Sequence, residues 1–441
     1  MWDIVLDGFS DLSKILKIDF NEAVLNYRKI KYIVDMKFYL QLFFIWLLFL
    51  NGIFSCTQAK NITSKQACKS RKEQTFWQHL KPSLFLIIEN NKWGFIDRNG
   101  EIVIKPQFNY AQDFVEERAA FKGSNGKWGL IDPKGKVIIQ PKFDKIDYFY
   151  EQRAAVNIGN KWGFVDTNGN FIIEPQFEKV DRFFEGRAAV RSNGKWHFID
   201  LSGKLIAQTE LYAVNNFSEG LAAVSVRIKD KYRRGFIDRN GQFVIDIKEV
   251  YLNFEGTWFI NGLAPVYIDD SLSWIGEIFF EERPKKKWGF INKIGQLVIP
   301  TKYDSVTHFS ECLATVWINN QAGIINTFGQ IILEPKYDNI YVFSNGIARV
   351  EVNKKYGFID KNGRILIEPQ FYDATEFSEG LASIKMEKSG KWGYINTSGK
   401  MIIKPQFDDF SFFTNGLAKV KLDNHFAYIN PTGKIVWTSA H

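Results

Sequence analysis

A short phrase recurs ten times along this chain: an aromatic residue, Gly, two apolar residues, then Asp or Asn. Its first copy reads Lys92-Trp93-Gly94-Phe95-Ile96-Asp97, and it returns at Trp128, Trp162, Trp196, Arg234, Trp288, Ala322, Tyr356, Trp392 and Phe426. The steps are 35, 34, 34, 38, 54, 34, 34, 36 and 34 residues. A near-constant period in this range means a repeat architecture, in which each unit buries its apolar face against its neighbours. Such a chain is expected to work through its surface rather than through a single catalytic cleft.

The third copy shows how a unit is built. Ala154-Ala155-Val156 reads as a strand, Gly159-Asn160 as a turn and Trp162 to Asp166 as a second strand. Asp166-Thr167-Asn168-Gly169 is a second turn, and Phe171-Ile172-Ile173 a third strand halted by Glu174-Pro175. Short apolar runs split by Gly and Asn predict antiparallel hairpins. The fold class is therefore all-β, an array of about ten 34-residue antiparallel repeats with no amphipathic helix inside it. Usual propellers have about 4–8 blades. The reading favours a propeller-like or toroidal arrangement, with an open curved solenoid-like array as the alternative. The first unit opens with its own strand, Leu84–Glu89, and the tenth ends near Trp437, so no strand exchange between the ends is expected.

Each recurring residue has a structural reason. Asp97, Asp132, Asp166, Asp200, Asp238 and Asp360 share a slot with Asn292, Asn326, Asn396 and Asn430. Asn closes a turn as Asp does but supplies no carboxylate, so the slot is neither a metal site nor a catalytic acid. Pro106, Pro141, Pro175, Pro335, Pro369 and Pro405 belong on an edge or just past the third strand, because Pro donates no ladder hydrogen bond. At all nine junctions a Phe is followed five residues later by Ala: Phe114 by Ala119, Phe217 by Ala222 and Phe377 by Ala382 are three of the pairs. That large–small pair predicts interlocking of one unit with the next. Trp fills only six of its ten slots, Trp93, Trp128, Trp162, Trp196, Trp288 and Trp392. Replacement by Tyr356 and Phe426 suits a core position better than a stacking platform.

The Lys-Trp-Gly-Phe-Ile-Asp phrase, the Pro-x-Phe that follows it and the Phe-Ser-Glu-Gly-Leu-Ala between copies resemble the bacterial WG (KWG) repeat family. The resemblance covers residues 84–437 and implies a β-rich array with no defined activity and no catalytic residues to carry over. His197 replaces the Gly, Arg234 and Ala322 replace the Trp, and Phe426-Ala427 replaces Trp-Gly.

The N-terminal part carries an address. Residues 38–50 form an apolar run after Lys37, with Met36 just ahead as the expected true start and residues 1–35 as an over-extended start or cytoplasmic tail. Residues 36–56 are expected to be a signal segment with an apolar helix. Ile53-Phe54-Ser55-Cys56 resembles a lipoprotein box, which implies acylation of Cys56; the alternatives are an uncleaved anchor and a buried helix. The lipoprotein and anchor readings both export the repeats. Residues 57–83 are polar and read as a tether. Of the three cysteines, Cys56, Cys68 and Cys312, no pair has zinc-ligand spacing, and a Cys68–Cys312 bridge is left open.

Two features are candidates for a binding surface. The first is the insertion at 269–287, with Trp274, Phe279, Lys285, Lys286 and Lys287. The second is the row Arg118, Arg153 and Arg187, which precedes Ala in three consecutive junctions. No nucleophile elbow, Walker loop, zinc helix or dinucleotide fingerprint occurs. The net charge of +8, from 57 basic and 49 acidic residues, is a mild bias without a concentrated basic stripe, so nucleic acid is not an expected partner. The expectation is a non-catalytic, membrane-anchored envelope protein that needs no cofactor or metal. It would offer a binding or scaffold surface to a protein or polysaccharide partner. Glycan binding by the repeat aromatics is the alternative, and an exported hydrolase a third reading.

Overall fold

The computed structural model describes residues 84–206, 211–228, 231–247, 257–268 and 286–439. The expected N-terminal helix, Cys56, the tether and most of the 269–287 insertion lie outside them. The described residues contain no helix, only antiparallel strands. The third unit consists of strands Lys145–Ile146, Arg153–Ile158, Lys161–Asp166 and Phe171–Phe177, hydrogen-bonded in that order. Units 4 and 5 share a seven-stranded sheet, because Leu211–Val214 pairs with Trp196 on one side and with Val224 on the other. Among the described residues no sheet closes into a barrel.

Three turns make this unit. Gly159 and Asn160 both have positive φ (59° and 66°), giving the two-residue hairpin whose twist matches its strands. The Asp-x-x-Gly turn is a type I turn closed by a left-handed Gly: Gly169 N donates to Asp166 O at 3.0 Å, and Gly169 has φ 83°. The junction is a second two-residue hairpin. Phe184 N donates to Arg187 O at 2.8 Å, Arg187 N returns a bond at 3.1 Å, and Glu185 and Gly186 take φ 52° and 76°.

The third strand differs from the expectation. It is not halted by Glu174-Pro175 but runs on to Phe177. Its register jumps, with Phe164 opposite Ile173 and Trp162 opposite Phe177, so the Pro sits in a bulge on the sheet's terminal strand. There the missing N–H costs no ladder bond. The bulge brings backbone against Gly163, where a Cβ would lie 2.4 Å from Ile173 O. This close approach is why Gly follows the aromatic residue.

The junction pairs do interlock the units. Phe183 and Ala188 are buried with Phe164, Ile173 and Phe177 of the preceding unit, and the Phe164 and Phe183 rings meet edge-on at 4.9 Å. Phe114 and Ala119 are buried in the same way against Phe95, Ile104 and Phe108 of the first unit. Phe377 and Ala382 are buried against Phe358, Ile367 and Phe371 of the eighth. Burying one such Phe stabilises by roughly 1.5–3 kcal/mol. Every consecutive pair of units shares a cluster of this kind, and one more cluster joins the tenth unit to the first through Phe85, Ile87, Ile96, Leu417 and Tyr428. Tyr428 Oη donates to Leu86 O at 2.9 Å, and Arg98 Nη2 to Asn415 Oδ1 at 2.6 Å. The two ends of the array therefore meet through side-chain packing, without an exchanged strand.

Candidate functional site

Most recurring polar side chains serve the frame. In every one of the ten copies, the Asp or Asn Oδ1 accepts the N–H groups two and four residues on. The junction carboxylates reach one unit further. Glu151 accepts Gly186 N at 2.8 Å, Glu185 accepts Gly220 N at 2.7 Å, and Glu311 accepts Gly346 N at 2.9 Å. Three are also ion-paired: Glu185 with Arg239 at 2.8 Å, Glu219 with Lys293 at 3.1 Å and Glu311 with Lys361 at 2.8 Å. Ser218, Ser310 and Ser378 each donate to the carbonyl of the next junction Phe, at 2.6, 3.0 and 2.7 Å.

One turn carboxylate, Asp200, carries a pH dependence. The Ser202 hydroxyl, against some opposing burial, and the N–H groups of Lys204 and Ser202 hold the Asp200 carboxyl below the usual aspartate range. A lowered folded value means stabilisation that is present above the unfolded value and lost as pH falls through the folded one. Asp200→Asn keeps the acceptor that Asn292 and Asn326 use and removes the titration. The variant is expected to lose less thermal stability than the native chain on acidification below about pH 4, measured as melting temperature against pH.

The Arg row belongs to the frame as well. Arg118 Nε donates to Thr167 O at 2.6 Å, Arg153 Nε to Leu201 O at 3.4 Å and Arg187 Nε to Arg239 O at 3.1 Å. Each crosses to the Asp-x-x-Gly turn of the next unit, so these guanidinium groups tie units together. Of the insertion residues, Lys287 pairs with Asp304 at 2.7 Å, and Lys286 Nζ lies 4.7 Å from the centre of the Tyr267 ring. Trp274, Phe279 and Lys285 lie outside the described residues, as does Cys56. Cys312 is disulfide-bonded.

The Trp slot lies at the margin of the core, its indoles packed against the inter-unit clusters but not enclosed by them. Only Trp392 is buried; Trp93, Trp128, Trp162, Trp196 and Trp288 are half-buried, and Phe426 is exposed. The fully buried aromatic stands two residues further on, as at Phe95, Phe164, Phe198 and Phe290. The indole sits at the start of the strand, beside the groove between consecutive units. Between Trp128 and Trp162 that groove widens into a cavity of about 380 Å³. Ile146, Ala155 and Val180 line it with the two indoles, and Lys145, Asp147 and Asp181 supply its polar groups. Arg182 fixes Asp147 through bonds of 2.8 and 3.1 Å and donates to Tyr150 Oη at 2.8 Å. Asp181 is exposed and accepts Arg182 N at 2.8 Å. Indole walls with carboxylates beside them suit a neutral polyol better than an anion. Nothing in the repeat phrase singles out Lys145, Asp147 or Asp181. They stand in the stretch before the junction Phe, where the copies differ most, and that variation was the available signal.

The profile of the family described as "WG containing repeat" matches residues 93–128, 128–162, 162–196, 198–232, 288–320, 323–356, 356–391 and 392–424. No curated sequence relative matches the chain. Among solved structures, the extracellular domain of a B. thetaiotaomicron protein described as a hybrid two-component system is similar at 6% identity and TM-score 0.23. The alignment covers 82% of this chain and 57% of that one. The tricorn protease is similar at 12% identity and TM-score 0.22, over 80% of this chain and 44% of that one. Kluyvelomyces marxianus Hsv2 is similar at 11% identity and TM-score 0.30, over 56% and 89%. The chain thus spans little more than half of the first structure and less than half of the second.

Proposed function

The chain belongs to the WG-containing repeat family, and from that premise we propose that it is a non-catalytic, exported binding or scaffold protein held at the cell envelope. One observation carries this reading. The side chains that recur in every copy are used to close turns and to tie unit to unit, which leaves the variable, solvent-facing positions as the part that can differ in function. Export rests on the apolar run and the Cys56 box, which the lipoprotein resemblance makes a lipid attachment site. The partner is a protein or matrix component. Protease shaving of intact cells tests this. Cleavage of the repeats from outside, with Cys56→Ser leaving the membrane fraction, supports it. Repeats found in the cytoplasm would overturn it.

The half-buried indoles and the cavity between Trp128 and Trp162 favour a second reading, glycan binding. Aromatic faces beside fixed carboxylates are a chemistry for sugar rings. Under this reading, polysaccharide protects the indole fluorescence from acrylamide, and Asp181→Ala weakens that protection. Quenching unchanged by any polysaccharide rejects it.

A further inference from the structure

The groove between consecutive units is filled by the chain itself at several places, each time by a flat side chain. In unit 2 the Tyr110 ring lies between two indoles of consecutive units, 4.7 Å from Trp93 and 5.5 Å from Trp128. In unit 10 the Phe410 ring lies 4.0 Å from Trp392. In unit 8 the Arg349 guanidinium lies 3.8 Å from the Tyr341 ring and 4.9 Å from the Tyr356 ring.

Unit 3 has the walls without the filler. Lys145 is in register with Tyr110: Tyr110 and Trp128 both pair with Lys122, as Lys145 and Trp162 both pair with Asn157. Counted from the junction Phe, Ile146 stands where Phe410 does and Ala155 where Arg349 does. None of the three brings a flat group, and Lys145 is exposed. The result is the cavity of about 380 Å³ between Trp128 and Trp162.

We infer that this cavity receives the ring of a tyrosyl side chain presented by a protein partner. The inference rests on the reading of the chain as a binding protein. Tyr110 carries it, because its phenol already occupies the equivalent place between the equivalent indoles. Rings gain from tilted and edge-on contact beyond the area that they bury. The volume lies near the lower end of the range for small-ligand sites, about 300–1,000 Å³, which suits a single ring. An extended glycan would stack its further rings in the adjoining grooves, and Tyr110 closes the preceding one. The polar groups suit a phenol as well. Arg182 holds Asp147 in place by two bonds, and the exposed Asp181 has a carboxylate oxygen left to accept the hydroxyl.

The test uses the full-length chain in mild detergent with N-acetyl-tyrosinamide as the probe, read by saturation-transfer NMR of the probe's ring protons. Binding is expected, and Lys145→Tyr should weaken it by at least about tenfold, because the chain's own phenol then fills the cavity. Unit 2 already carries Tyr at this position, so the melting temperature should not fall. Should it fall, Asp181→Ala at its exposed site decides, with a severalfold loss expected. No transfer to the probe overturns the proposal, as does transfer that Lys145→Tyr leaves unchanged in a folded chain. Cellohexaose, run in parallel, separates this proposal from glycan binding. Transfer to cellohexaose alone, lost in Lys145→Tyr, overturns the tyrosyl proposal and leaves the glycan reading standing.

Discussion

Ala222→Leu is expected to destabilise the array more than Trp196→Phe one unit earlier. Ala222 is fully buried, packed with Phe198, Leu211, Phe217 and Ile237 where units 4 and 5 meet. Leu adds three heavy atoms to a site closed on every side. Overpacking of this kind costs about 1–3 kcal/mol, and more where backbone must move. Trp196 is half-buried, and Phe can occupy its groove while keeping much of the apolar packing. Denaturant unfolding of the two variants checks the order. Equal midpoints would mean that the junction Ala is not the tight point of the interface.

Gly163→Ala should have an effect as large, and a more local one. The added Cβ would stand 2.4 Å from Ile173 O and 2.7 Å from Pro175 N. Both are backbone atoms, so no rotamer change relieves the clash. The third strand must leave the second, which exposes Phe177 and the bulge. The expected cost is at or above the upper end of the overpacking range, about 3 kcal/mol. Hydrogen exchange should quicken over Phe171–Phe177 and stay unchanged in unit 8. The chain contains its own precedent. Where His197 replaces the Gly, the described residues of the third strand meet the second at Leu205 opposite Ile199, through Ile206 N donating to Phe198 O at 2.9 Å, and at Leu211 opposite Trp196. Where Ala427 replaces it, the last strand ends at Thr438 and has no Pro.

The sequence exposed the features that repeat locally. The period, the two turn types, the Asx slot and the Phe and Ala pairs all follow from residues within a few positions of one another, and the structure holds them as expected. What it hid are contacts one repeat apart. Glu185 reads as a turn residue, and its bond to Gly220 N depends on a neighbour 35 residues away. Arg187 reads as an exposed cation, yet its partner is a backbone carbonyl 52 residues on. Pro175 reads as a strand stop, because sequence alone does not show that a bulge lies at a sheet edge. Trp162 reads as core because indole is apolar, but its place at the start of the strand leaves it beside a groove. The candidate binding positions were hidden for the opposite reason. Lys145, Asp147 and Asp181 lie in the variable stretch before the junction Phe, and only aligning all copies in phase sets them apart.

The central claim is that ten interlocked units bring the end of the array back to its beginning. Arg98 and Asn415 are 317 positions apart in sequence and joined by a 2.6 Å hydrogen bond. Spin labels carried on unnatural amino acids at these two positions would leave the native cysteines untouched. Pulsed electron spin measurements should then return one short, narrow distance distribution. A long or broad distribution, with the same labels on a folded chain, would mean that the ends stand apart and would contradict the account.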